Sequence, residues 1–291
     1  MKGWIKALLF FLAWLFAQII ITSPLMMALG RDGETINSLS ATNRATIQLI
    51  TGILQLVATG FVINLFLKFI DKAHYSVLGF SIKGKEKHLF AGLLLGAGLI
   101  SIGTLALMAA GMITLNISNP NLMGFFASLI LFAIVAVNEE VMARGYLLRV
   151  LMESGNKYWA LVFSALIFAF LHGLNPNISW IAVLNLFLAG CLLGVYYIHY
   201  KNLWFSIGIH FTWNFFQGPI WGSNVSGTTN ESLFSQQLSG NELITGGAFG
   251  FEASLMCTVL VIFAIAGVEL WTRKNGSLSQ NSQLEVTAQQ A

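Results

Sequence analysis

The sequence predicts an all-α membrane protein: a bundle of about eight transmembrane helices around a polar cavity inside the bilayer. Three observations carry that prediction. First, 56% of the 291 residues are hydrophobic and 9% are charged, with a mean hydropathy of +0.74. Soluble domains carry roughly 25% charge, so this chain has too little polar surface to face water on all sides. Second, apolar stretches near the ~20 residues that span a bilayer recur along the chain. Third, carboxylates and histidines sit inside those stretches, where charge is expensive and faces a protein interior, a cavity or a partner.

The apolar stretches fall at 7–29, 46–70, 89–113, 122–146, 158–174, 179–199, 203–222 and 250–271. The first follows Lys2 and Lys6 as a signal peptide would. Its apolar run exceeds a signal h-region of roughly 7–15 residues, so it reads as a retained span. With the N-terminus in the cytoplasm and alternating spans, most basic residues fall inside. These are Lys2, Lys6, Lys68, Lys72, Lys83, Lys85, Lys87, Arg144, Arg149, Lys157, Lys201, Arg273 and Lys274; only Arg31 and Arg44 fall outside. That distribution obeys the positive-inside rule and places both termini in the cytoplasm. One transmembrane domain, 1–271, is expected, followed by a polar, disordered cytoplasmic tail, 272–291. Short loops and no eukaryotic targeting signal point to a bacterial inner membrane.

Gly92 with Gly96 and Gly190 with Gly194 have the spacing that lets helices approach closely. Cys191 and Cys257 lie in apolar runs and read as small buried residues, because no cysteine-rich spacing accompanies them. No nucleotide loop, internal repeat or nucleic-acid patch occurs. The expected partners are the lipid bilayer and a membrane-bound protein or peptide.

The functional signal starts at Asn138-Glu139-Glu140-Val141-Met142-Ala143-Arg144, which ends an unbroken apolar run from Gly124 to Val137. Glu140 and Arg144 are four apart with the carboxylate first, the better order for a helical ion pair. Glu139 is rotated about 100° from Glu140, which leaves it freer to face a cavity. His172 and His210 also lie inside spans. Phe168 precedes His172 by four residues, and His210 precedes Asn214 by four, so each pair shares a helix face. His74, His88 and His199 fall in or beside loops and read as solvated or interfacial.

Two carboxylates, two histidines and an amide suit hydrolysis by activated water. A carboxylate takes a proton from water, helped by an imidazole or a metal, while a histidine and an asparagine donate to the developing oxyanion. Glu139, His172 and His210 are also suitable zinc ligands. A ruler through the membrane raises a difficulty. With Gly124 at one surface and Tyr158 at the other, Glu139 and His172 differ in depth by about 13 Å at 1.5 Å per residue. They meet only where the fourth helix starts deeper or the fifth begins outside the membrane. The fourth helix is expected to run past Arg144 toward Leu151.

Glu139-Glu140-x-x-x-Arg144, Phe168-x-x-x-His172 and His210-x-x-x-Asn214, in that order, resemble the three motifs of the CPBP family. That family joins type II CAAX prenyl proteases with bacterial immunity and bacteriocin-processing membrane proteins. The resemblance covers about residues 120–220. It implies a helical bundle with a polar core cavity and proteolysis within or beside the membrane. It further implies Glu139 as general base and His172 as its partner in activating water. His210 and Asn214 would hold the oxyanion, or His210 would join a zinc site, with Glu140 and Arg144 in support. Asn185, a lone amide in the sixth span, reads as a helix–helix hydrogen bond or as support for the site.

The reading is thus an intramembrane endopeptidase that uses Glu139, His172, His210 and Asn214. A non-enzymatic immunity or scaffold protein has no chemical need for all of these polar residues. An ion-coupled transporter would show inverted repeats, and the sequence shows none.

Overall fold

Without water to pair with, backbone donors and acceptors in a bilayer must pair within the segment, so apolar runs fold as helices. The computed structural model describes residues 1–28 and 41–289; side chains at 26–28, 41, 42, 44 and from 275 onward lie outside the description, as does Arg31. The long helices are α1 (Gly3–Ala28), α2 (Ala41–Leu65), α3 (Glu86–Ala109), α4 (Leu122–Glu140), α5 (Lys157–Leu171), α6 (Trp180–Val195), α7 (Trp204–Phe215) and α8 (Leu255–Gln289). A π-helical turn, Phe66–Asp71, extends α2, and another, Phe216–Ile220, extends α7.

Among the described residues six helical stretches are long and apolar enough to cross a membrane, against about eight expected. The chain is an integral, multi-pass membrane protein. The two that fall short are α5, with 15 residues, and α7, with 12. Local chemistry explains both. Pro176, with Asn177 at φ +59°, turns the chain after α5, where the sequence reading carried the helix to 174. Lys201 in the left-handed region ends the turn before α7, and Asn202 Oδ1 accepts the Trp204 N–H at 3.2 Å.

One element departs from the all-α expectation. Strand β1 (Ile113–Ile117) pairs antiparallel with β2 (Phe234–Leu238), Ile113 opposite Leu238 and Ile117 opposite Phe234. The ribbon pins the polar stretch 223–248 to the segment after α3, and it takes Ile113 out of the third predicted helix.

Helix pairing follows the small residues. On α3, a Cβ at Gly92 would run into the Phe205 carbonyl, and one at Gly96 into that of Ile209, so α3 and α7 pack backbone to backbone. Gly190 likewise sits 2.9 Å from Ala165 by its would-be Cβ, which draws α6 onto α5. Cys257 is buried as expected, whereas Cys191 is only half-buried.

α4 does not stop at the carboxylates. A π-helical turn, Val141–Leu148, and a last α-turn, Arg149–Met152, carry the helix through 31 residues. All eight residues of the π turn are buried. A hairpin at 153–156 then returns the chain as α5. This geometry removes the depth difficulty. Thirty-one residues make a helix of about 46 Å, which cannot end at both surfaces of a ~30 Å core. The pivot is the hairpin, and Glu139 and His172 lie about 21 Å and 24 Å from it along their helices. Residues equidistant from an antiparallel hairpin face each other.

Candidate active site

The two adjacent carboxylates have different fates, because they leave the helix in different directions. Glu140 is fully buried, and its Oε1 accepts from Arg144 Nη1 at 2.8 Å and meets His210 Nδ1 at 2.9 Å. Arg144 also donates through Nη2 to the Gly190 carbonyl at 3.0 Å, and its guanidinium lies over the Phe168 ring at 4.7 Å. Glu140 Oε1 and both terminal guanidinium nitrogens are engaged, so Glu140–Arg144 is a buried ion pair that takes no part in the cavity wall. Glu139 instead reaches the cavity wall with its side chain 26% exposed. Its Oε2 has no hydrogen-bond partner among the described residues.

The histidines arrive from two other helices. His172 closes α5, where the last carbonyls have no partner one turn on. Its Nδ1 lies 2.8 Å from the Phe168 carbonyl, which can only accept, so Nδ1 carries the proton. Nε2 is left facing Glu139 Oε2 at 3.9 Å. His210 is held through Nδ1 by the Glu140 carboxylate, again an acceptor, and its Nε2 lies 3.8 Å from Glu139 Oε2. The Phe168 ring packs against His172 with centroids 4.7 Å apart and lies 6.2 Å from that of His210. When both rings are neutral, two Nε2 lone pairs and one carboxylate oxygen face the same small volume. A group with protons to give, such as water, complements them.

These atoms open on a cavity of about 590 Å³ whose wall includes Glu139, Phe168, His172, His210 and Asn214. Asn214, one turn after His210, is buried at that wall. Asn185 does not line it. Its amide nitrogen donates to the Glu252 and Ser254 carbonyls at 2.7 and 2.8 Å, and its oxygen accepts from Thr258 at 2.7 Å. It is a helix–helix clamp between α6 and the start of α8.

The sequence reading missed two groups. Glu252, in the turn before α8, is a second buried carboxylate on the cavity wall. It accepts from the Ser226 N–H at 2.6 Å, from the Ser226 hydroxyl at 3.0 Å and from Gln217 Nε2 at 3.2 Å. Glu252 has no second carboxylate and no arginine one turn on, the signals that mark Glu139 and Glu140 in the sequence. The second group is a set of amides on α1, α2 and α4, treated below.

The zinc expectation can be tested on the donor set. Tetrahedral zinc with bonds of about 2.0–2.1 Å needs ligand atoms about 3.3 Å apart. The two edges from Glu139 Oε2 are 3.8 and 3.9 Å. Among the described residues no group of three or more His, Cys, Asp or Glu is placed to hold a metal ion. The three side chains converge on Glu139 Oε2 at edges wider than a tetrahedral zinc site has.

Residues 121–216 match the family model Rce1-like, the type II CAAX prenyl endopeptidase Rce1-like family. No curated protein and no solved structure matches the chain. The matched stretch begins at the α4 cap and ends just past Asn214, so it contains all three motifs and every side chain that meets Glu139. The motif-bearing third of this chain is thus similar to the type II CAAX prenyl endopeptidase Rce1-like family.

Proposed function

We propose that the chain is an intramembrane endopeptidase that hydrolyses a peptide bond of a membrane-bound protein or peptide, in the manner of CAAX proteases. The observation that carries this reading is Glu139 Oε2, without a hydrogen-bond partner among the described residues and flanked by two imidazole Nε2 atoms at 3.8 and 3.9 Å on a cavity wall. In this mechanism a water molecule occupies the volume between Glu139 and His172. Glu139 takes one of its protons and His172 Nε2 accepts the other hydrogen as a hydrogen bond, which aims the oxygen at the scissile carbonyl. Attack forms a tetrahedral oxyanion. His210, as the imidazolium held by Glu140, donates through Nε2–H, and the Asn214 amide donates beside it. The C–N bond then breaks, and the leaving amine takes the proton from the Glu139 carboxyl. Glu140 and Arg144 keep His210 in register without touching substrate.

The same reading sets both termini in the cytoplasm of a bacterial cell, on the distribution of lysine and arginine. Cleavage of a farnesylated, fluorescence-quenched peptide with a CAAX terminus tests the function. Glu139→Gln keeps the shape and removes the base, so turnover falls about 10²–10⁴-fold. Full turnover by Glu139→Gln at equal expression overturns the assignment. Zinc content of the same preparation tests the cofactor: activity without stoichiometric zinc supports the glutamate mechanism, and zinc lost together with activity in His210→Ala contradicts it.

A further inference from the structure

The same cavity wall carries a second set of polar residues that the reaction above does not use. Gln48, Thr51 and Gln55 recur at helical spacing on one face of α2 and line the cavity. Gln18 of α1 and Asn138 of α4 join them. These residues lie in helices long and apolar enough to cross a membrane, where an idle amide is costly.

Several of these groups are unspent. Asn138 is 7% exposed, and its Oδ1 has no hydrogen-bond partner among the described residues. Gln18 is 9% exposed; its Nε2 donates to the Gln55 carbonyl at 3.2 Å and to Thr59 Oγ1 at 3.0 Å, but its Oε1 is unpartnered. Among the described residues no lysine or arginine lines the cavity, and the amides are the groups left to recognise a neutral partner. Amides carry one acceptor and one donor group, the same pair that a peptide bond presents.

We infer that this amide face binds the main chain of the substrate in an extended conformation and lays it past Glu139. The inference rests on the endopeptidase reading and supplies its substrate class: an unwound peptide segment. The physical need is direct. A peptide bond inside a helix is shielded, and once unwound within the bilayer its N–H and C=O must find partners in the protein. Asn138, next in sequence to the proposed base, meets the substrate beside the scissile bond. Gln48, Gln55 and Gln18 meet it farther along.

The test is binding to the full-length chain carrying Glu139→Gln, in lipid nanodiscs. The probe is a fluorescent farnesylated CAAX peptide and a series of analogues N-methylated at one amide at a time. N-methylation removes a donor without changing the side chains. One or two analogues should bind about three- to tenfold more weakly than the parent, the effect of one lost hydrogen bond. That penalty should vanish when Asn138→Leu or Gln48→Leu is added, because the partner is then already gone. The analogue series on the unaltered amide face gives the result even where a leucine variant fails to fold.

Equal binding of every analogue, penalties unchanged by the leucine variants, or no binding of the parent peptide would each overturn the inference. Hydrolysis by the wild-type chain is read in parallel. Hydrolysis with no N-methyl sensitivity overturns the amide grip and leaves the endopeptidase reading intact. N-methyl-sensitive binding without hydrolysis supports the grip and removes the endopeptidase reading.

Discussion

Two charged clusters in this molecule use similar residues to opposite ends. At the α4–α5 hairpin, Lys6 and Arg149 meet Asp71 and Glu153, and each carboxylate lies within 3.1 Å of both cations. The cluster ties the start of α1, the end of α2 and the end of α4 together with charges balanced. At the cavity there is one arginine beside Glu139 and Glu140, and its ion pair is with Glu140. Glu139 Oε2, Glu140 Oε2 and Asn138 Oδ1 remain without hydrogen-bond partners among the described residues. The hairpin cluster also holds groups without hydrogen-bond partners among the described residues, Asp71 Oδ1 and Arg149 Nε, but it has two cations for two carboxylates and lies off the cavity, whereas Asn138 and Glu139 bring spare acceptors to the cavity wall. The distinction is the pairing, not the presence of charge.

Substitutions sharpen this comparison. The largest effect on stability belongs to Glu140. Glu140→Ala leaves Arg144 buried and unpaired and should destabilise the fold by about 3–5 kcal/mol, read as a lower midpoint of thermal unfolding in detergent. Next is Glu252→Leu, which strands the Ser226 N–H beside the cavity. It should cost about 1–3 kcal/mol, with faster proteolysis of the 223–228 turn as the local sign. The smallest effect belongs to the hairpin. Glu153→Gln, with a side chain 38% exposed, should cost under about 1 kcal/mol and leave turnover unchanged. A loss of turnover in Glu153→Gln would break the comparison, since it would give the balanced cluster a chemical role.

Much of this contrast is legible in the sequence. The ~100° step between neighbouring helical residues already separates Glu139 from Glu140, and the 2.8 Å pair with Arg144 lies where the spacing predicts. The convergence of His172 with Glu139 is not legible in the same way. A ruler pinned to Gly124 and Tyr158 sets them about 13 Å apart, because it assumes that each helix just spans the membrane. α4 runs on through a π turn to Met152, and that extension aligns the two residues. Such turns have no strong sequence signature, yet they recur at functional sites. The β1–β2 ribbon carries no clear strand signal, since β1 starts at the end of the third apolar run and β2 lies in a stretch rich in serine and asparagine. Glu252 and the α2 amides were missed for another reason. Each looks unremarkable alone, and only the fold shows that they face the same cavity as Glu139.

The most direct measurement compares Glu139→Gln with Glu140→Gln on the same preparations, for turnover of the farnesylated CAAX peptide and for thermal midpoint. The account predicts a split. Glu139→Gln keeps the midpoint and loses turnover about 10²–10⁴-fold, while Glu140→Gln lowers the midpoint because Arg144 loses its counter-charge. Equal midpoints and equal turnover in the two variants, or wild-type turnover in Glu139→Gln, would contradict it.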